Sequence, residues 1–469
     1  MEQKKCNITK TKDIILFILL FIWILIPIFK MIRATALFTT TNQYKFMEIV
    51  GIIGIYLFVI EIYKNIKVNK DKKILLKELL PIIILMAYLV WTLISCIFAQ
   101  DKQKAFYGEA NRKEGYITYL IYAGFFSCAF LIESNKLKKY LLNSFIIVTI
   151  FNILLMNITN NSAEMLQIFQ YRDIQTGVFN NQNHYGYYLL IATMTATLFF
   201  ILEKNKVLKV LYGLAYLILL YNLILNNTFG CYIAFTVTII IFFVYCIYKK
   251  ENRIVCIISI FIFILMSVLV EYNEKNIVAN NIKNLAIDVS NIFEVIKSEN
   301  INTIEEKEID KENDLEKNEI NKEDKDNNSE INNIKKQVEN SGSGRGKLWK
   351  YGIKIFLQKP ILGYGADNLS SEYKKYNIEQ DRPHNLIINL LATSGIPGFI
   401  LYISGIATIL FRGFKRLKDN DVIYSIVLFV IIAYLVSSMF GNSMYYTSPY
   451  YFIYLGILGS ISIRRKEQN

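Results

Sequence analysis

Twelve apolar runs set the pattern of this chain, centred on residues 14–32, 46–63, 79–99, 116–132, 141–158, 185–202, 207–226, 229–248, 254–270, 394–411, 422–440 and 449–463. Each approaches or exceeds about 18 residues, close to what a helix needs to cross a ~30 Å hydrocarbon core. Short polar segments separate the runs, except between the ninth and tenth, where a polar stretch extends from about Glu271 to Arg382. The pattern predicts an all-α, polytopic integral membrane protein with about twelve transmembrane helices and one large loop. It divides the chain into nine helices over 1–270, the loop over 271–383 and three helices over 384–469. The first run follows Lys4, Lys5, Lys10 and Lys12 and is longer than the apolar core of a cleaved signal, so it reads as a retained helix.

The loop has two characters. Residues 298–340 are rich in Glu, Lys, Asn and Asp and almost free of aromatics. Such a segment buries too little apolar surface to order itself and reads as a disordered charged insertion. Residues 341–383 regain Trp349, Phe356, Tyr364, Leu369, Tyr373 and Tyr376. A helix capped by Ser343 and ending at Gln358, before Lys359-Pro360, puts Trp349, Ile353 and Phe356 on one face. Lys347, Lys350 and Lys354 then share another face, which predicts an amphipathic helix at the outer membrane surface. Gly363-Tyr364-Gly365 predicts a turn; it lacks the strand-then-helix context of a nucleotide loop.

Charge fixes an orientation. The net charge of +13 invites a nucleic-acid partner, but the cations fall in alternate loops, at Lys64–Lys77, Lys136–Lys139, Lys204–Lys209, Lys249–Arg253 and Arg412–Lys418. This is the positive-inside distribution of a membrane protein, and it places the large loop outside. Nucleic acid is therefore not an expected partner. Of the six cysteines, five lie in apolar runs and Cys6 on the cytoplasmic side, so no external disulfide framework is expected. Without a Cys/His cluster, neither is a zinc site.

The outer face collects Arg112, Arg172, Arg345 and Arg382 with His184 and His384, the two histidines of the chain. Arginine offers a permanently charged, planar fork that fits phosphate oxygens. Histidine titrates near neutrality and suits proton transfer. Together they suit chemistry on a diphosphate-linked substrate: arginines balance the charge of the leaving group, and a histidine takes a proton from an attacking hydroxyl. Each residue also has a plainer reading. His384, after Pro383, is placed to cap the next helix, and Arg345 to be a surface cation. Glu109 and Glu114 are placed to pair with Arg112. His184 opens a span, where interfacial hydrogen bonding is usual. Asn180, Asn181 and Asn183 suit sugar hydroxyls or the loop's own backbone. Asn442, Tyr445 and Tyr446 fall on the same face and are placed to line a common cavity.

Several motifs occur in a fixed order: Gly344-Arg345-Gly346-Lys347-Leu348-Trp349, then Lys359-Pro360-Ile361-Leu362-Gly363-Tyr364-Gly365, then His384-Asn385-Leu386, then Thr393-Ser394-Gly395-Ile396-Pro397-Gly398. The series resembles the O-antigen ligase and polymerase superfamily over roughly residues 100–440, with weaker echoes at Arg112-Lys113 and Phe179–Asn183. The resemblance implies a GT-C-like, metal-independent membrane glycosyltransferase that needs no cofactor. Such an enzyme moves an undecaprenyl-diphosphate-linked glycan to an acceptor hydroxyl on a lipid, glycan or protein. It implies an inverting reaction on the extracytoplasmic face of a bacterial plasma membrane, within cell-surface polysaccharide biosynthesis. It assigns catalysis to His384 and Arg345, and substrate binding to Arg112, Arg382, Asn385, Trp349, His184 and Asn183. The 298–340 insertion departs from the family's compact loop. A repeat-unit polymerase shares the donor chemistry and differs only in acceptor. A transporter or flippase of the same lipid needs ion-coupling carboxylates in the spans, and only Glu48 and Glu61, near the two ends of the second run, approach that.

Overall fold

The structure is a computed structural model that describes residues 2–33, 40–68, 72–110, 112–179, 181–274, 277–280, 282–283, 345–417, 421–442 and 444–463. Among these residues it is an all-α polytopic membrane protein. The 298–340 insertion and the Ser343 cap lie outside the described residues.

In chain order the helices are α1 (Glu2–Phe29), α2 (Thr40–Val68), α3 (Lys72–Ile97), α4 (Lys102–Tyr107), α5 (Tyr116–Leu131), α6 (Asn135–Asn160), α7 (Met165–Ile168), α8 (Gln182–Leu202), α9 (Lys206–Leu225), α10 (Phe229–Lys249) and α11 (Arg253–Asn273). After the large loop come α12 (Arg345–Gln358), α13 (Ser370–Lys374), α14 (Leu386–Arg416), α15 (Val422–Ser437) and α16 (Ser448–Ile463). Among the described residues, 10 helices are long and apolar enough to cross a membrane, the first of these spans ending at Phe29. The other two predicted runs are α5 and α16, of 16 residues each. At about 1.5 Å per residue they are shorter than the hydrocarbon core.

These two short helices pack together at the centre, where Gly456 of α16 lies against the Phe126 carbonyl of α5. Helix α2 crosses α5 at glycines: a Cβ on Gly124 would collide with the Gly51 backbone. Helix α8 is also central, with 89% of its apolar window buried, whereas α11, at 28%, is peripheral and offers its apolar surface to lipid.

The ends of the bundle differ. At one end Asp13 accepts the backbone N–H groups of Glu133 and Ser134 at 2.9 and 2.8 Å, and Lys12 pairs with Glu133 while Lys139 pairs with Glu203. At the other end lie the described residues of the segments 98–115, 161–181, 345–385 and 438–447, which carry the candidate residues.

Helix α14 is broken within its first half. Gly395 sits at φ 65°, ψ −176°, a conformation open essentially to glycine, and Pro397 follows without an N–H. The break frees the carbonyls of Ala392, Thr393 and Ser394. Tyr364 N–H donates to Ala392 O and Gly365 N–H to Thr393 O, both at 2.9 Å, while Trp91 Nε1 donates to Ser394 O at 2.8 Å. Ile396 N–H turns to Pro360 O at 2.8 Å. The Pro360–Gly365 turn and the Gly395–Pro397 break are thus two halves of one joint, which explains why both motifs occur in one chain. Helix α12 ends at Gln358 as predicted, but its buried seam is Leu348, Gly352 and Ile355. Ile353, expected on the apolar face with Trp349 and Phe356, is exposed, because Gly352 lets the helix approach Tyr373 and Pro383 at that position.

Candidate functional site

His384 stands between Pro383 and the N-cap of α14 with a left-handed φ of 50°. Asn385 makes the cap: its Oδ1 accepts the Ile388 N–H at 3.1 Å, and its Nδ2 donates to Met439 O at 3.0 Å. That second bond ties the start of α14 to the loop after α15. From this loop the Asn442 amide meets His384 Nδ1 at 3.1 Å. Burial, then the charges of Arg345, Arg382 and Arg112, pull the imidazole down to about 4, with Asp381 opposing. His384 is therefore neutral at physiological pH, a state able to accept a proton.

Arg345 opens α12. Its guanidinium lies 5.7 Å from the centre of the Phe229 ring, which meets Phe440 edge-on at 5.4 Å. One turn further on, Trp349 lies 6.4 Å from the same Phe440. The Trp349 Nε1 donor is buried without a hydrogen-bond partner among the described residues. Arg345 and Trp349 thus each lie against one ring of the Phe229–Phe440 pair, and Phe440 comes two residues before Asn442.

Arg112 and Arg382 come together through one shared carboxylate, that of Asp381. Arg382 Nη2 pairs with Asp367 at 2.5 Å and its Nε with Asp381 at 3.3 Å, and Asp381 also pairs with Arg112 Nη1. Burial disfavours the Arg382 charge, but Asp367 and Asp381 outweigh it and hold the group above its ordinary range. Asp367 also accepts the Glu109 N–H at 2.7 Å. The expected pairing of Arg112 with Glu109 or Glu114 is not the one formed. Glu109 turns to Lys104 at 3.6 Å, and Glu114 is buried beneath the site, accepting the Tyr122 hydroxyl at 2.5 Å. Burial pushes the Glu114 carboxyl up to about 8.

His184 lies in the first turn of α8, where Asn181 is the N-cap and accepts the His184 N–H at 3.2 Å. Asn181 thus serves the backbone; Asn180 lies outside the described residues. The His184 ring meets Tyr446 edge-on at 5.2 Å, and its Nδ1 has no hydrogen-bond partner among the described residues. Arg382, His384 and Arg112 are near enough to act on it electrostatically. Asn183 is partly buried beside it. The described candidates therefore stand at one end of the bundle, with Arg112 and Arg382 among them already paired with carboxylates. Sequence reasoning did not assign Asp367, Asp381 and Glu114 to this site. Their available signal was proximity: Asp381 precedes Arg382, and Asp367 follows the Gly365 turn by two residues.

Fold and site define a polytopic membrane protein with a cluster of histidines and arginines at one end of its helices. Residues 214–403 match the family model described as O-antigen ligase, which supports a likeness to the O-antigen ligase and polymerase superfamily. The match runs from the middle of α9 into α14. It contains Arg345, Trp349, Arg382, His384 and Asn385, and leaves Arg112, Asn183 and His184 outside. It supports a ligase- or polymerase-type function in polysaccharide biosynthesis. No curated protein matches the chain.

Proposed function

We propose that this protein transfers a glycan from an undecaprenyl-diphosphate carrier to an acceptor hydroxyl, at the extracytoplasmic face of a bacterial plasma membrane. The observation that carries the proposal is the setting of His384: a neutral imidazole held through Nδ1 by Asn442, with Arg345 the foremost of the three cations acting on it.

His384 acts as general base. With its proton on Nδ1, bonded to the Asn442 amide oxygen, the Nε2 lone pair is available; the two ends of an asparagine amide interchange by a flip. Nε2 takes the acceptor's hydroxyl proton as that oxygen bonds to the anomeric carbon. The carbon–oxygen bond to the diphosphate breaks on the opposite face, and its electron pair leaves with the diphosphate, so the anomeric centre inverts. Arg345 balances the growing negative charge. Arg112 and Arg382, already paired with Asp381 and Asp367, position the loop that carries His384 and present their remaining donors to the substrate. Trp349 Nε1 and His184 Nδ1, unpartnered among the described residues, suit sugar hydroxyls, with Asn183 beside His184 and Asn385 beside His384.

The test is release of undecaprenyl diphosphate from a short synthetic lipid-linked glycan by purified protein, with acceptor and chelator present. Release should require the acceptor and fall by about 100-fold or more in His384→Ala and Arg345→Ala. Undiminished release by His384→Ala overturns its role. Donor binding without release, whatever the acceptor, points instead to a transporter.

A further inference from the structure

The end of α1 is fastened to the segment after α7. Gln170 N–H donates to Met31 O at 2.8 Å and Arg33 N–H to Ile168 O at 2.9 Å, forming the bridge between Ile32 and Phe169. Arg172 Nη2 donates to the Lys30 carbonyl at 3.0 Å, and the Arg172 carbonyl is held by Asn160 Nδ2 at 2.7 Å. These bonds orient Lys30. Its Nζ lies 5.9 Å from the Phe179 ring centre and 5.5 Å from that of Tyr446, both rings buried. A lysine at the end of a spanning helix ordinarily extends along the surface to water. This one turns inward, between aromatic faces, towards the ring that also meets His184.

Among the described residues no carboxylate pairs with Lys30, and the charged side chain beside it is the cation Arg172. Two aromatic faces offset only part of the lost hydration of an ammonium group. Arg112 is already paired with Asp381, and Arg382 with Asp381 and Asp367, so part of their charge is taken up before a dianionic group arrives.

We propose that Lys30 is an anion-binding residue of this site, and that its ligand is the diphosphate of the polyprenyl carrier. This rests on the transferase reading above. Tyr446 joins the two ends of the site, since its ring touches both Lys30 and His184. The lipid diphosphate enters from the α1 side, with Lys30 on its phosphates and the sugar directed towards His384.

The experiment titrates the full chain in detergent with undecaprenyl diphosphate, undecaprenol and inorganic pyrophosphate. Lys30→Gln should weaken undecaprenyl diphosphate binding about tenfold or more, leave undecaprenol binding unchanged, and be largely rescued by Lys30→Arg. Lys30-dependent pyrophosphate binding would show that the headgroup suffices; Lys30-dependent binding of the lipid form alone would show that the chain is also read. If Lys30→Gln fails to fold, Lys30→Met keeps the stem on both rings and repeats the test. Equal diphosphate binding by native protein and a folded Lys30 variant overturns the inference, as does absence of diphosphate binding by native protein. His384→Ala separates the two proposals. Lys30-dependent binding with undiminished transfer by His384→Ala removes the catalytic reading and leaves Lys30 standing.

Discussion

His384 combines three properties that a residue name does not convey: a left-handed backbone, an amide on Nδ1 and a cluster of positive charge around it. Burial and Arg345 together hold its proton affinity low, so the base form persists far into acid. For the free enzyme, kcat/KM is expected to stay level from neutral pH down to about 5 and to fall with a midpoint near 4, rather than near the ordinary histidine value. Arg345→Gln removes a charge that opposes protonation, so the midpoint should move upward as the rate falls. A pH–rate profile of both proteins checks this, and an unmoved midpoint would remove Arg345 from the surroundings of His384. The arginines were visible as residue types on one face of the chain. Their employment was not: Arg112 and Arg382 bind carboxylates 269 and 15 positions away, and such pairings depend on how loops meet.

At the level of elements, the joint between the 360–365 turn and the break in α14 positions the site. Gly395→Ala would drive a Cβ into the Ile361 carbonyl, in a conformation that costs a side-chain-bearing residue about 1–3 kcal/mol before any clash. Loss of folded protein, or a large drop in melting temperature, is the expected outcome. Gly346 offers the contrast. It lies inside α12, and a methyl group added there would meet nothing within 4 Å, so Gly346→Ala should melt no lower than the native protein. Thermal unfolding in detergent distinguishes the two. Most helices were legible as runs of apolar residues, and the stop of α12 as Lys359-Pro360. The orientation of α12 was not, because the seam is set by the close approach of Gly352 to Tyr373 and Pro383 rather than by its largest apolar side chains.

For the whole molecule, the buried carboxyl beneath the site matters as much as the cations above it. Glu114 is buried where α5 begins, and its carboxyl is raised by that burial to about 8 from an ordinary 4.5. The folded protein therefore holds a proton there that the unfolded chain releases. The associated stability is complete below pH 4.5 and is lost as pH rises through about 8. Melting temperature should decline between pH 5 and 9 in the native protein and decline less in Glu114→Gln, which keeps the shape without the titration. Parallel declines in both proteins would place the sensitivity elsewhere.

Hydrophobic run length suffices to establish an all-α membrane protein and its helix count to within the two short central members, and the alternation of loops predicts that its arginines and histidines gather at one end. These features are local or additive: a helix that must bury its backbone in hydrocarbon announces itself by composition alone. The order of the Arg345, Pro360, His384 and Gly395 motifs likewise indicated which loop carries the candidate chemistry. Tertiary structure decided the rest. It spent Arg112 and Arg382 on Asp381 and Asp367, set Asn442 against His384, buried Glu114 and turned Lys30 inward between Phe179 and Tyr446. Each of these outcomes turns on a charge or polar group losing water and finding, or lacking, a partner distant in sequence, and only the packed arrangement of helices determines which partner is within reach.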